Sequence, residues 1–132
     1  MKNQIVTMFA GAAVVVACNS NAPKAPVEGV TTTSGATVAN NDAARRITNA
    51  RCEHANKCNQ FGKDKDYADE AGCKSEIGHD SESTYKASGC PHGIRQERLT
   101  TCLNEIKNEK CGNLGDKISR AEACRTGEIC ID

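Results

Sequence analysis

The chain has 132 residues, 17 basic and 17 acidic, and no formal net charge at pH 7 with histidine neutral. It holds nine cysteines, two Phe, two Tyr and no Trp. A balanced, aromatic-poor chain has no basic stripe to bind phosphates, so nucleic acid is excluded as an expected partner.

Residues 1–17 read as a lipoprotein signal peptide. Lys2 supplies a short positive start, and Ile5 to Val16 is a mostly apolar run that stops at Cys18. About 20 apolar residues are needed to span a bilayer, and this run is shorter. Val15-Val16-Ala17-Cys18 resembles the lipobox of bacterial lipoproteins. That resemblance implies cleavage before Cys18 and acylation of Cys18 on sulfur and nitrogen. Two or more acyl chains anchor a protein stably, whereas one gives reversible binding. The expected location is the cell membrane or outer membrane, with the remainder in the periplasm or at the cell surface. The partner this expects is the membrane itself, through Cys18.

Residues 18–41 read as the lipidated cysteine and a flexible tether. From Asn19 on the stretch is rich in Asn, Ala, Pro, Thr, Ser, Gly and Val, with little charge and no sustained period. A coil of that length reaches about 25–30 Å. A strand within Val27 to Val38 is the alternative, disfavoured because no later stretch alternates as its partner should.

Residues 42–132 read as a cysteine-rich helical domain. Cys52, Cys58, Cys73, Cys90, Cys102, Cys111, Cys124 and Cys130 remain once Cys18 is set aside, an even number suited to four disulfides. Large apolar residues are too few to hold so small a domain without cross-links. The expected fold is all-α: a disulfide-stapled bundle of about three helices with a short C-terminal helix.

The first helix is expected from about Asp42 to Gln60, stopped by Phe61-Gly62. The second begins after an Asp69 cap and runs to about Tyr85, with irregularity near Gly78-His79-Asp80. Ser88 to Gly93 reads as a loop. Leu99, Cys102, Leu103 and Ile106 fall at i, i+3, i+4 and i+7 and mark the third helix. A short helix follows around Ser119 to Cys124.

Eight cysteines allow 105 pairings, and spacing does not choose among them. Cys52 and Cys58 lie six residues apart on one helix, about 9 Å along its axis, which excludes their pairing. Cys58–Cys73 across a helical hairpin is the first expectation, and Cys52–Cys102 the second.

Metal-ligand cysteines come in close pairs, and here no two are nearer than six residues. Cys52-Glu53-His54 and Cys90-Pro91-His92 are the metal-like features, and no metal or other cofactor is expected. There is no Cys-x2-Cys redox motif. His79-Asp80 with Ser81 and Ser83 could feed a nucleophile triad, but a triad is made by geometry and adjacency does not supply it. Asp64, Asp66, Asp69 and Glu70 do not fit a calcium loop.

Arg46-Ile47-Thr48-Asn49-Ala50-Arg51-Cys52, Lys57-Cys58-Asn59, Tyr67-Ala68 before Cys73, and Cys90-Pro91-His92-Gly93-Ile94 form a set with Cys102-Leu103, Ile106, Cys111, Cys124 and Cys130. Over Ala43 to Cys130 this set resembles an uncharacterised family of short cysteine-rich bacterial lipoproteins, labelled for natural-product biosynthesis. The resemblance implies an envelope lipoprotein and assigns no activity to any residue. The leading expectation is a non-enzymatic binding or interaction module with an envelope protein or small molecule as ligand. The alternative is an accessory factor or enzyme in natural-product processing.

Overall fold

The computed structural model describes residues 35–132. The signal peptide, Cys18 and most of the tether lie outside the described residues. A two-residue strand β1 (Thr37–Val38) leads directly into helix α1 (Asn40–Lys57). Then come α2 (Glu70–Thr84), strand β2 (Ile94–Arg95), α3 (Gln96–Asn108), α4 (Leu114–Ala123) and a single turn α5 (Thr126–Ile129). The fold is the expected small all-α domain stapled by disulfides.

Helix α1 packs on α2 and α3, and α3 packs on α4. The buried face of α1 is made of Ala43, Ala44, Ile47, Thr48, Cys52 and Ala55. These small side chains let α2 approach closely through its own stripe of Cys73, Ile77 and Ser81, spaced i, i+4, i+8. The irregularity expected at Gly78 does not occur, and α2 runs through it. A Cβ at Gly78 would meet Thr48 Cγ2 at 3.8 Å, ordinary contact distance. The glycine faces α1, and packing offsets its low helix propensity of about 1 kcal/mol.

The expected N-cap is confirmed: the Asp69 side chain accepts from Gly72 N at 2.8 Å. Helix α1 stops earlier than expected, at Lys57. Asn59 takes the left-handed conformation with φ 55°, before Gly62 can end the helix. Asparagine tolerates that region, which makes it a workable stop.

The expectation that no strand forms is corrected. Thr37 pairs with Arg95 and Val38 with Ile94, antiparallel. Ile94 also bridges Cys130, and Ile131 N donates to Gly93 O at 2.9 Å. Two-residue strands are too short to show alternation, so periodicity missed them. The tether boundary shifts as well, because β1 and the start of α1 fall before Asp42.

The core has two parts. One gathers Val38, Ala43, Ala44, Ile47, Tyr85, Ile94, Leu99, Ile106 and Ile129 around Cys90–Cys130 and Cys102. The other joins Ala55 and Ile77 around Cys52 and Cys73, with Phe61 and Tyr67 against them. Phe61 and Tyr67 meet edge to face at 6.2 Å.

The four disulfides are Cys52–Cys73, Cys58–Cys111, Cys90–Cys130 and Cys102–Cys124. Both expected pairings, Cys58–Cys73 and Cys52–Cys102, are therefore wrong. Cys52 lies on the face of α1 that meets α2, and takes Cys73 at a Cα separation of 5.9 Å. Cys58 sits at the end of α1 and reaches instead to the loop after α3. Cys102 is on the face of α3 that α4 covers, and bonds the residue that caps α4.

Candidate functional site

The polar cleft that gathers the most chemistry lies where α1 ends. It encloses about 420 Å³. The C-terminal turns of α1 contribute Arg51, His54 and Cys58 to its wall, and the following loop contributes Asp66 and Tyr67. Glu76 comes from α2, Glu109 from the residue after α3, and Lys117 and Arg120 from α4. Residues far apart in sequence thus converge because two disulfides and the α3–α4 packing bring the chain back to α1.

His54 and Cys58 stand four apart on one helix, hence on one face. His54 Nε2 lies 3.3 Å from Cys58 Sγ and 3.0 Å from the Glu109 carbonyl oxygen, with Nδ1 4.0 Å from the same sulfur. A ring with its proton on Nε2 donates to that carbonyl, which fixes its orientation. The cleft is closed on this side by Cys58–Cys111.

The carboxylate of Glu109 is 3% exposed and lies 3.0 Å from Arg120 Nε. Each neutralises the other, as a buried charge requires. Burial raises the Tyr67 phenol above its ordinary value, with the Arg51 charge acting in the opposite direction. Among the residues lining this cleft, Tyr67 carries the one hydroxyl, and the one cysteine, Cys58, is bonded to Cys111. The arrangement suits the holding of a polar ligand and thiol–disulfide chemistry at Cys58–Cys111.

A wider groove of about 630 Å³ runs between α1 and α2 past Asp42, Arg45, Lys74 and Glu82. Its charges pair locally, Asp42 with Arg45 and Lys74 with Glu70, as on a solvated surface.

The other sequence candidates do not converge. His79 is helical and exposed, where an irregular stretch of α2 was expected. Asp80 faces Arg51 at 3.4 Å, and Ser81 is buried in the α1 contact. Consecutive helical residues point about 100° apart, so His79, Asp80 and Ser81 form no triad. His92 is exposed in a turn. Cys52 and His54, two apart on α1, face different ways, so the metal-like Cys-x-His reading fails there. The acidic cluster disperses: Asp69 caps α2, Glu70 pairs with Lys74, and Asp66 lines the cleft. Glu109 and Arg120 were missed, since nothing in their spacing ties one to the other. The four-residue step from His54 to Cys58 was readable and points to the right pair.

A model described as a family of unknown function (DUF6184) matches residues 52–132. The chain belongs to this family. No curated protein and no solved structure matches it. All eight disulfide cysteines fall inside the DUF6184 match, as do the cleft residues from His54 onward; Arg51 stands one residue before it. The DUF6184 segment therefore contains the cross-linked frame and nearly the whole cleft.

Proposed function

We propose that this DUF6184 chain is a lipid-anchored cell-envelope protein whose helical head is a non-enzymatic binding module. The observation that carries the reading is the set of four disulfides. A frame of that density persists in an oxidising compartment, outside the cytosol. The lipobox at Val15 to Cys18 agrees with export and supplies the anchor.

Binding is favoured over turnover by the chemistry of the cleft. Glu109 and Arg120 neutralise each other, and His54 is held by a carbonyl, with no hydroxyl hydrogen-bonded to it among the described residues. A rigid cross-linked head loses little conformational freedom when a ligand docks, which favours affinity.

The test is the intact mass of the protein taken from its native membrane, with and without reduction before alkylation. The expected mass is that of acylated Cys18 to Asp132, with eight alkylations appearing after reduction alone. An unacylated mass, or thiols that alkylate before reduction, overturns the anchored, fully cross-linked reading.

A further inference from the structure

Helix α4 shows its apolar side to solvent. At about 100° per residue, Leu114 and Ile118 stand within about 40° of each other, and Ala121 continues the same side. The opposite side carries Asp116, Arg120 and Ala123, which are half-buried. Arg120 reaches Glu109, and Asp116 accepts from Lys110 N at 3.0 Å. Surface helices normally bury the apolar stripe and show the charges. Here Leu114 is 71% exposed and Ile118 55%, and among the described residues no other large hydrophobic side chain is exposed. Exposed apolar residues scattered singly are ordinary. Two on successive turns of one helix face form a patch.

We propose that this face of α4 docks on an anionic lipid surface, the bilayer in which Cys18 is anchored. The inference rests on the lipid-anchored reading of the chain. With ten residues, α4 is about 15 Å long, half of a hydrocarbon layer of about 30 Å. It therefore lies along the interface and does not cross. No helix among the described residues is long and apolar enough to cross a membrane. Leu114 and Ile118 enter the boundary between headgroups and acyl chains, as the apolar side of an interfacial helix does.

Charge selects the partner. Lys117 precedes Ile118 at the edge of the apolar face, and Lys110 stands just before the helix, where its amide meets Asp116. Both lysines are exposed, and neither pairs with a carboxylate among the described residues. The nearby acids are engaged: Glu109 by Arg120, and Asp116 by the Lys110 amide. Glu122, toward the other edge, lines a shallow cleft with Arg125. Lysine stems run along apolar surface and carry the ammonium to lipid phosphates. Two aliphatic side chains are small against the roughly 800 Å² per partner of a stable protein interface. They suit a bilayer, where the anchor shares the work.

The length of chain before the head permits the contact. Read as a coil, the 16 residues between Cys18 and Gly35 have a root-mean-square reach of about 20–24 Å. Arg120 of α4 borders the cleft at the His54 end of α1, about 21 Å along that helix from Asn40. The two lengths are comparable, so the head can lie on its side with α4 down. Two aliphatic side chains bind a bilayer weakly on their own. Anchoring at Cys18 turns their docking into an intramolecular step at high effective concentration.

The test uses the chain from Cys18 to Asp132, checked by mass for its four disulfides. Cys18 is joined through its thiol to a maleimide-headed lipid in vesicles, and the other eight cysteines are bonded. Because chemistry supplies this attachment, an unacylated native chain would overturn the anchor and leave the docking measurement readable. The chain has no Trp, so Ile118→Trp is a lone reporter. In vesicles of mixed phosphatidylcholine and phosphatidylglycerol its emission should move to shorter wavelength and be quenched by brominated acyl chains. His79→Trp, on the exposed side of α2 turned away from α1, should show neither. Vesicles of phosphatidylcholine alone, or K110Q/K117Q beside Ile118→Trp in the mixed ones, should lower the quenching by roughly twofold or more. No quenching at Ile118→Trp, equal quenching at both positions, or quenching indifferent to phosphatidylglycerol each overturns the proposal. So does a shift without vesicles that grows with protein concentration, which would make a second copy the cover.

Discussion

Glu109 and Arg120 meet at 3.0 Å with the carboxylate almost wholly enclosed. This pair joins the chain just after α3 to the middle of α4, a helix that buries none of its own residues. Removing one partner strands a charge in a low-dielectric site, which costs about 3–5 kcal/mol when burial is complete. Arg120 is 25% exposed, so water softens the loss. Arg120→Ala is expected to lower stability by about 2–3 kcal/mol. The E109Q/R120M double variant should recover most of it. Urea unfolding of the oxidised proteins checks this, and an additive double variant would refute the coupling.

The Tyr85 hydroxyl donates to the Cys124 carbonyl at 2.5 Å, from a side chain only 5% exposed. Burial raises its pKa above 10, with the Arg51 charge opposing and the Asp80 charge adding. A raised pKa means its stability is fully present below the unfolded value near 10. It is lost as pH climbs through the folded value, because the unfolded chain releases the proton first. Thermal midpoints between pH 9 and 11 should therefore fall more in the native protein than in Tyr85→Phe. At pH 7 the same variant should be weaker by about 1 kcal/mol, the net worth of the hydrogen bond.

Gly93 has φ 89°, and a Cβ there would stand 2.7 Å from Thr37 Cγ2 and 3.1 Å from the Val38 carbonyl. Gly93→Ala is expected to cost about 1–3 kcal/mol from backbone conformation and clash together. Adding Thr37→Ala should relieve the clash and leave the conformational part. Gly127→Ala, with open space around the new methyl, should leave the denaturation midpoint unchanged or slightly raised.

Cys102–Cys124 closes a loop of 21 intervening residues and holds α4 against α3. Replacing both with Ala is expected to cost about 3 kcal/mol on the chain-entropy account. Because α4 buries no residue of its own, the loss should be local. Hydrogen exchange should speed up across Leu114 to Ala123 while amides of α1 and α2 keep their protection. Uniform loss across the domain would contradict this.

The legible parts of the sequence are those fixed by local physics. Asp69 announces the start of α2, and Leu99 to Ile106 announce α3, because caps and apolar stripes act within a few residues. The cysteine pairing was not legible. Cys52 and Cys58 differ by rather more than one and a half turns of α1, so they face different neighbours, and only the helix arrangement says which. The strand pair was hidden by its length, and the cleft by its dependence on α4 returning to α1. His54 with Cys58 shows the intermediate case. Their spacing places them on one face, and Cys111 arrives only through the fold.

Strand β1 and the start of α1 stand at one end of that helix, and His54 lies fourteen residues along it from Asn40. At 1.5 Å per residue that separation is about 21 Å. A pull on the chain before Gly35 therefore enters at Thr37 and Val38, where the two strand residues and the Asn40 side-chain bond to the Cys90 carbonyl take the load. Cys90–Cys130 clamps the same corner from behind. The cleft sits at the opposite end of the helix, about four turns from the point where such a pull enters.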